Sequence, residues 1–341
     1  MAHMIDMSNY RENMVYVGAT PWHHLGTQFT GDETFEEWRV AAGFNWEAQK
    51  KDLVYKATHA AGHEVDVILP SHKALVRSDT EMVLSVVGKD YKIVQPKDVL
   101  EFFREIAFAS GGRYTMETAG CLSDGKRIWA LAKIDDEMRV GGIDVIKPYI
   151  LFGTSFDLST STYASYTTVR VVCNNTLQAA IGTAASNADV RITHAQTYDE
   201  DSVKRALGLL EGAEESAFDG FIDTANLLTT RKVNDFETFN YFAELYGPKR
   251  NEGQSVNDLK ISDFTTGQKR NIDQLIRLFK QGPGANMKTA SGTAWGLVNA
   301  VTHFEDFSHG KNDMKRLQSS AFGSGKRNKL ASVNTALALV A

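Results

Sequence analysis

Arg170 stands in an otherwise apolar, β-branched run, Thr167-Thr168-Val169-Arg170-Val171-Val172-Cys173, which leads directly into Asn174-Asn175-Thr176-Leu177. Val and Thr at this density favour a strand, and Asn174 and Asn175 are suited to cap the start of a helix continuing through Leu177, Ala179, Ala180 and Ile181. Long cations are seldom buried without a partner. Arg170 therefore requires either an internal Asp or Glu or an external anion. A guanidinium beside the amide-rich mouth of a helix is suited to a phosphate or a carboxylate. Tyr163 and Tyr166 precede it, with Thr160, Ser161, Thr162, Ser165 and Thr167 as hydroxyl donors to phosphate or sugar. Arg113, Lys126 and Arg127, on the preceding pair of strands, extend the same cationic set. Cations for phosphates and aromatic faces for bases are what single-strand recognition uses. The competing reading is an ordinary strand whose aromatics pack inside, as expected for Tyr149 and Phe152.

Catalytic patterns fare worse. Gly323-Ser324-Gly325-Lys326 has a serine, Ser320, where a phosphate loop needs its first glycine, and Arg327 where it needs a magnesium-binding hydroxyl. His59 and His63 have helical ligand spacing, but Gly62 weakens any helix and no Glu occupies the activating position, so a turn or strand boundary is expected. His23 and His24 read as a turn before Leu25-Gly26. Neither a nucleophile elbow nor a Cys-x-x-Cys cluster occurs. We expect no metal and no cofactor, and a protein that is not an enzyme. Asp157, His23 and His24 keep an activity on nucleic acid as a lesser alternative.

The 341 residues carry a net charge of −5 and 43% hydrophobic residues, which suits one large or two ordinary globular domains. The overall charge disfavours a simple basic nucleic-acid binder, but its distribution is uneven. Asp199 to Asp223 is acidic, whereas Lys311, Lys315, Arg316, Lys326, Arg327 and Lys329 cluster near the C-terminus. Such segments are either solvated faces or complementary surfaces for self-association. Cys121 and Cys173 sit in strand-like settings without metal spacing and read as buried thiols of a reducing compartment, with no disulfide. No apolar run approaches the roughly 20 residues a membrane span needs, and Met1-Ala2-His3-Met4 has no signal-peptide character. A cytoplasmic protein that contacts no membrane is expected.

These side chains must be positioned by a strand-rich first half. The spacing predicts a helix from Asp32 to Gly43, strands over Trp46–Lys56, Glu64–Leu69, Ala74–Arg77 and Val83–Val87, and a short one over Tyr91–Val94. Pro96 opens a helix that carries Val99, Leu100, Phe102, Phe103 and Ile106 and ends at Gly111-Gly112. Arg113–Cys121 and Lys126–Ile134 form a hairpin about Asp124-Gly125, and Tyr149–Phe156 and Tyr163–Val172 form a second. Beyond Tyr198 strand signals fade, and one long amphipathic helix from Val203 to Leu228 is followed by helices near Phe236–Tyr246, Ile272–Phe279 and Trp295–Phe304. The fold class is α+β: an N-terminal domain, 1–195, with a mixed or antiparallel sheet, then a mainly helical region, 196–341.

Several segments together resemble the phage and plasmid proteins grouped as Domain of Unknown Function 932. They are Trp22-His23-His24-Leu25-Gly26, Ala42-Gly43-Phe44-Asn45-Trp46-Glu47, Val87-Gly88-Lys89-Asp90-Tyr91-Lys92-Ile93-Val94-Gln95-Pro96 and Thr118-Ala119-Gly120-Cys121-Leu122. Arg170-Val171-Val172-Cys173-Asn174-Asn175-Thr176-Leu177 and Gly292-Thr293-Ala294-Trp295-Gly296-Leu297-Val298-Asn299-Ala300-Val301-Thr302 complete the set. Where the family pattern has a His-Asp-Gly-Ser-like turn, this chain has Phe156-Asp157-Leu158-Ser159, without the His and the Gly. The resemblance implies a mobile-element setting and no particular activity. The strand, hairpin and helix plan also resembles, distantly, phage single-strand annealing proteins of the Rad52-like type. The expected function is binding of single-stranded DNA, with RNA as the alternative, and annealing of strands in recombination by a homo-oligomer. The expected contacts are Arg170, Lys126, Arg127, Arg113, Tyr163, Tyr166, Asn174 and Asn175. A protein-interaction or assembly factor of a mobile element is the second reading.

Overall fold

The structure, a computed structural model, describes residues 4–21, 24–60, 62–135, 138–167, 190–206, 214–309 and 324–340. It is an α+β chain with the strands in the N-terminal half and most helices in the C-terminal half, as the sequence implies. Among the described residues the main sheet has seven strands: β1 (Met14–Val17), β2 (Thr27–Phe29), β6 (Tyr114–Leu122), β7 (Arg127–Ile134), β10 (Tyr149–Ser155), β11 (Thr162–Thr167) and β12 (Val190–Ile192). Their order is β12-β11-β10-β7-β6-β1-β2, antiparallel throughout except for the parallel β1–β2 pair, so the sheet is mixed.

The two hairpins form where expected. The β6–β7 turn takes left-handed conformations at Asp124 (φ 61°) and Gly125 (φ 83°), and a Cβ at Gly125 would lie 2.6 Å from the Arg77 guanidinium. One face of the sheet presents Ile128, Ala130, Ala132, Ile150 and Phe152 to helix α2 (Pro96–Ala109), whose Val99, Leu100, Phe102, Phe103 and Ile106 are buried against it. Helix α1 (Phe35–Ala41), held by a Thr34–Glu37 capping box, adds Trp38 to that core. The other face is also buried and carries Met14, Leu122, Trp129, Leu131, Tyr149, Leu151 and Tyr163.

Three more strands, β3 (Ala48–Thr58), β4 (Glu64–Arg77) and β5 (Val83–Gly88), make a separate antiparallel sheet. Tyr91–Val94 is not a strand: the Tyr91 amide donates to the Gly88 carbonyl, and the segment turns into α2. The predicted helix over 203–228 is described as α3 (Glu200–Ala206) and α4 (Glu214–Thr230), with 207–213 outside the described residues. Val203 of α3 joins the core under α2, so the sheet unit extends past residue 195. The second core belongs to α4, α5 (Asp235–Tyr246), α6 (Thr266–Gln281), α7 (Ala294–His303) and α8 (Ser324–Ala338), around Leu228, Phe242, Leu275, Leu297, Val301 and Phe304. A small hairpin, β8 (Met138–Val140) and β9 (Asp144–Ile146), joins the units. Its Gly141 amide donates to Asn226 Oδ1 at 2.7 Å, and Asp144 accepts from the Thr289 hydroxyl.

Candidate nucleic-acid interface

Register determines where the expected contacts fall. Leu122 faces Arg127 at one end of the β6–β7 ladder and Tyr114 faces Ile134 at the other. At about 3.3 Å per residue, Arg113 is roughly 25 Å from Lys126 and Arg127. Arg113 therefore stands at the opposite end of the ladder from Lys126 and Arg127. Tyr163 and Tyr166 are three residues apart on one strand and so point to opposite faces. Both are buried, Tyr163 beside the Trp129 side and Tyr166 in the core beneath α2. Neither offers a face for a base, and burial pushes the Tyr163 phenol well above its ordinary pKa. Arg170, Asn174 and Asn175 lie outside the described residues, as does the end of the predicted strand beyond Thr167.

What remains is concentrated at one end of the sheet, where the β6–β7 and β10–β11 turns meet. The Phe156 amide donates to the Lys126 carbonyl at 2.8 Å, bringing the Asp157–Ser161 loop against the start of β7. Arg127, opposite Ser155, donates from Nε to Ser159 Oγ at 2.9 Å and from its terminal nitrogen to Asp157 Oδ2 at 3.4 Å. Asp157 also accepts the Ser159 amide. Arg127 thus organises the loop, and its charge is largely balanced by Asp157. The Ser155 hydroxyl donates to the Thr160 carbonyl and accepts from its amide, the Thr160 hydroxyl donates to the Ser161 carbonyl, and Thr154 pairs with Thr162, so the expected hydroxyls of Thr160 and Thr162 act within the fold. Lys126 is partly exposed.

Beside this loop lies an open groove of about 620 Å³, lined by Lys89, Tyr91, Leu158, Thr160, Ser161 and His194, among others. Tyr91 and His194 stack with ring centroids 4.5 Å apart and planes at 19°. Tyr91 OH donates to the Ser155 carbonyl at 3.3 Å, at the register of Arg127. His194 Nδ1 lies 3.2 Å from the Lys92 carbonyl, to which it donates in the tautomer that leaves Nε2 unprotonated. Burial lowers the His194 pKa, against the opposing pull of the Lys92 and Thr160 carbonyls. The ring is therefore neutral at pH 7, a flat apolar surface rather than a cation. Burial and Asp157 together raise the Tyr91 pKa, so its phenol stays protonated. Lys89 stands at the rim, 64% exposed, 4.0 Å from Asp90.

Lys89, Tyr91 and His194 were missed from the sequence. Tyr91 looked like a strand residue, and no local pattern ties it to a ring 103 positions later. A signal did exist in the Gly88-Lys89-Asp90-Tyr91 segment, polar and turn-forming between a strand and a capped helix.

The segments 42–47, 87–96, 118–122 and 292–302 have places in one fold, and a family model described as a domain of unknown function, DUF932, matches residues 83–334. The chain belongs to the DUF932 family. No curated protein and no solved structure matches it. The match takes in both turns, the groove apart from Ser71 and most of the helical unit of the DUF932 chain. It starts at β5, yet Val15, Trp38, Phe44, Trp46 and Leu75, all before Val83, are part of the core beneath α2. Among the described residues, no three His, Cys, Asp or Glu side chains are grouped to hold a metal, and no helix is long and apolar enough to cross a membrane. Cys121 is a buried free thiol that donates to the Gly43 carbonyl, and Cys173 lies outside the described residues.

Proposed function

We propose that the DUF932 chain binds single-stranded nucleic acid, DNA or alternatively RNA, in the host cytoplasm during replication or recombination of a phage or plasmid, and that it anneals complementary strands. The observation that supports this reading is the sheet end itself. The hydroxyl-bearing loop held by Arg127, the neutral Tyr91–His194 stack and Lys89 adjoin one open groove, and Lys126 stands at the start of the strand against which that loop is held. A single strand needs cations along its backbone and aromatic faces for its bases, and no reacting group. Relative to the sequence-based expectation, the aromatic role passes from Tyr163 and Tyr166 to Tyr91 and His194, and the backbone role centres on Lys126 and Lys89.

The reading is tested by fluorescence anisotropy of a labelled oligonucleotide titrated over a range of salt concentrations. Binding should strengthen as salt falls, and Lys126→Ala or Lys89→Ala should each weaken it and flatten the slope of log K against log salt by about 0.7. Absence of binding at low salt removes the proposal and leaves the assembly-factor reading.

A further inference from the structure

The β3–β4 hairpin extends beyond the sheet that anchors it. β5 pairs with β4 only over His72–Val76, whereas β3 and β4 continue as a two-stranded ladder from Val54↔Ile68 to Thr58↔Glu64. Between the two parts the register breaks, with Leu53 on one side and Leu69–His72 on the other. Two isolated strands are marginal in water without a third strand or a covering layer. One face of this arm is apolar, formed by Leu53, Tyr55, Ala57, Val65, Val67 and Leu69, and Val54, Tyr55 and Ile68 are each more than half exposed. Among the described residues, no backbone group of 50–57 is hydrogen-bonded on the side away from β4. An eleven-residue edge strand of this kind is a template for pairing with another chain.

We infer that β3 pairs antiparallel with β3 of a second copy of this chain, about a two-fold axis through Val54. The partner follows from self-complementarity. With Val54 facing its own symmetry mate, Asp52 falls opposite Lys56 of the partner subunit, and the reverse holds by symmetry. Within each copy Asp52 already faces Lys73 and Lys56 faces Asp66. The row across four strands then alternates in charge: Lys73, Asp52, the partner's Lys56, the partner's Asp66. The central row is apolar: Ile68, Val54, the partner's Val54, the partner's Ile68. On the other face Leu53 meets Tyr55 of the partner subunit, joining the two apolar stripes. The pairs nearest the axis, Val54 with its mate, Leu53 with Tyr55 and Asp52 with Lys56, are apolar with apolar or acid with base, and such pairs stabilise a ladder; farther out Lys51 and Lys50 fall opposite Ala57 and Thr58 of the partner subunit, without like charges facing. Ser71, at the register break, also lines the groove, but the pairing is argued from the edge of β3 alone and does not depend on the nucleic-acid proposal.

Cysteine crosslinking in the full-length chain tests the register. Val54→Cys places two thiols on the axis, and a disulfide-linked dimer should accumulate under mild oxidation. Thr58→Cys places its two copies about 26 Å apart and should give none. Independently, light scattering across a concentration series should show a dimer that Lys56→Glu or Asp52→Lys weakens about tenfold, since each turns two attractive pairs into like-charged ones. Combining both substitutions should restore it, because the repulsions created within each copy are common to monomer and dimer. A chain that stays monomeric at about 100 μM, equal crosslinking at the two positions, or a double variant as weak as the single ones would overturn the inference.

Discussion

Arg77 is 1% exposed, yet it carries a charge through the centre of the sheet unit. Its guanidinium donates to Asp6 at 3.1 Å, to both oxygens of Asp79 at 2.9 and 2.8 Å and to the Asp124 carbonyl at 3.0 Å, and lies over the Trp46 ring. It therefore ties the N-terminal segment to the β6–β7 turn. Arg77→Met leaves the Asp6 carboxylate buried without its cation, and we expect a loss of about 3–5 kcal/mol in chemical denaturation. A denaturation midpoint unchanged from that of the wild type would refute this. Glu305 is the helical unit's counterpart. Burial works against its charged form, but hydrogen bonds from His309 (3.0 Å), Asn328 (2.8 Å) and Tyr246 (2.6 Å) outweigh it and hold the carboxyl below its ordinary value. A depressed folded-state pKa gives stability that is present above the unfolded value, near 4.5, and is lost as pH falls through the folded one. Urea midpoints of the wild type should thus fall more steeply below pH 4.5 than those of Glu305→Gln. Superimposable pH profiles would contradict that assignment. Neither residue stood out in the sequence: Arg77 ended an expected strand, and its partners are 71 and 2 positions away.

The sheet and its hairpins were legible because local chemistry specifies them. Asp124-Gly125 supplies the left-handed turn, Pro96 the start of α2, and the alternation of β7 and β10 their two buried faces. The short strands β1, β2 and β12 were not, since three or four residues carry little pattern and gain their place only from neighbours distant in sequence. The expected site failed at Tyr163 and Tyr166 for a reason the pleat contains: an odd separation sends side chains to opposite faces. Tyr163 instead fills a space that a glycine leaves. A Cβ at Gly153 would lie 2.5 Å from the Tyr163 hydroxyl and 2.7 Å from the Ile128 carbonyl, which belongs to the neighbouring strand and cannot easily yield. Gly153→Ala should therefore cost about 1–3 kcal/mol in denaturant melts. A midpoint equal to that of the wild type would show that the strand accommodates the methyl group.

At the scale of the molecule, the family match and the folding unit differ in extent. Residues before 83 supply β1 to β4, much of the core under α2 and the Asp6–Arg77 pair. A chain cut to 83–334 should lose the folded sheet unit, read as rapid amide exchange across β6, β7 and β10, and slow exchange of those strands in the fragment would contradict the account of the core. The same N-terminal part carries the arm that we assign to self-pairing, while the groove lies between loops of both sheets. The central claim is that a single strand lies in that groove, and photocrosslinking of a 4-thiothymidine oligonucleotide, mapped by peptide mass spectrometry, tests it most directly. The account predicts adducts on the segments around Tyr91, residues 155–161 and His194, reduced by high salt. Adducts confined to other surfaces, or none at low salt, would contradict it.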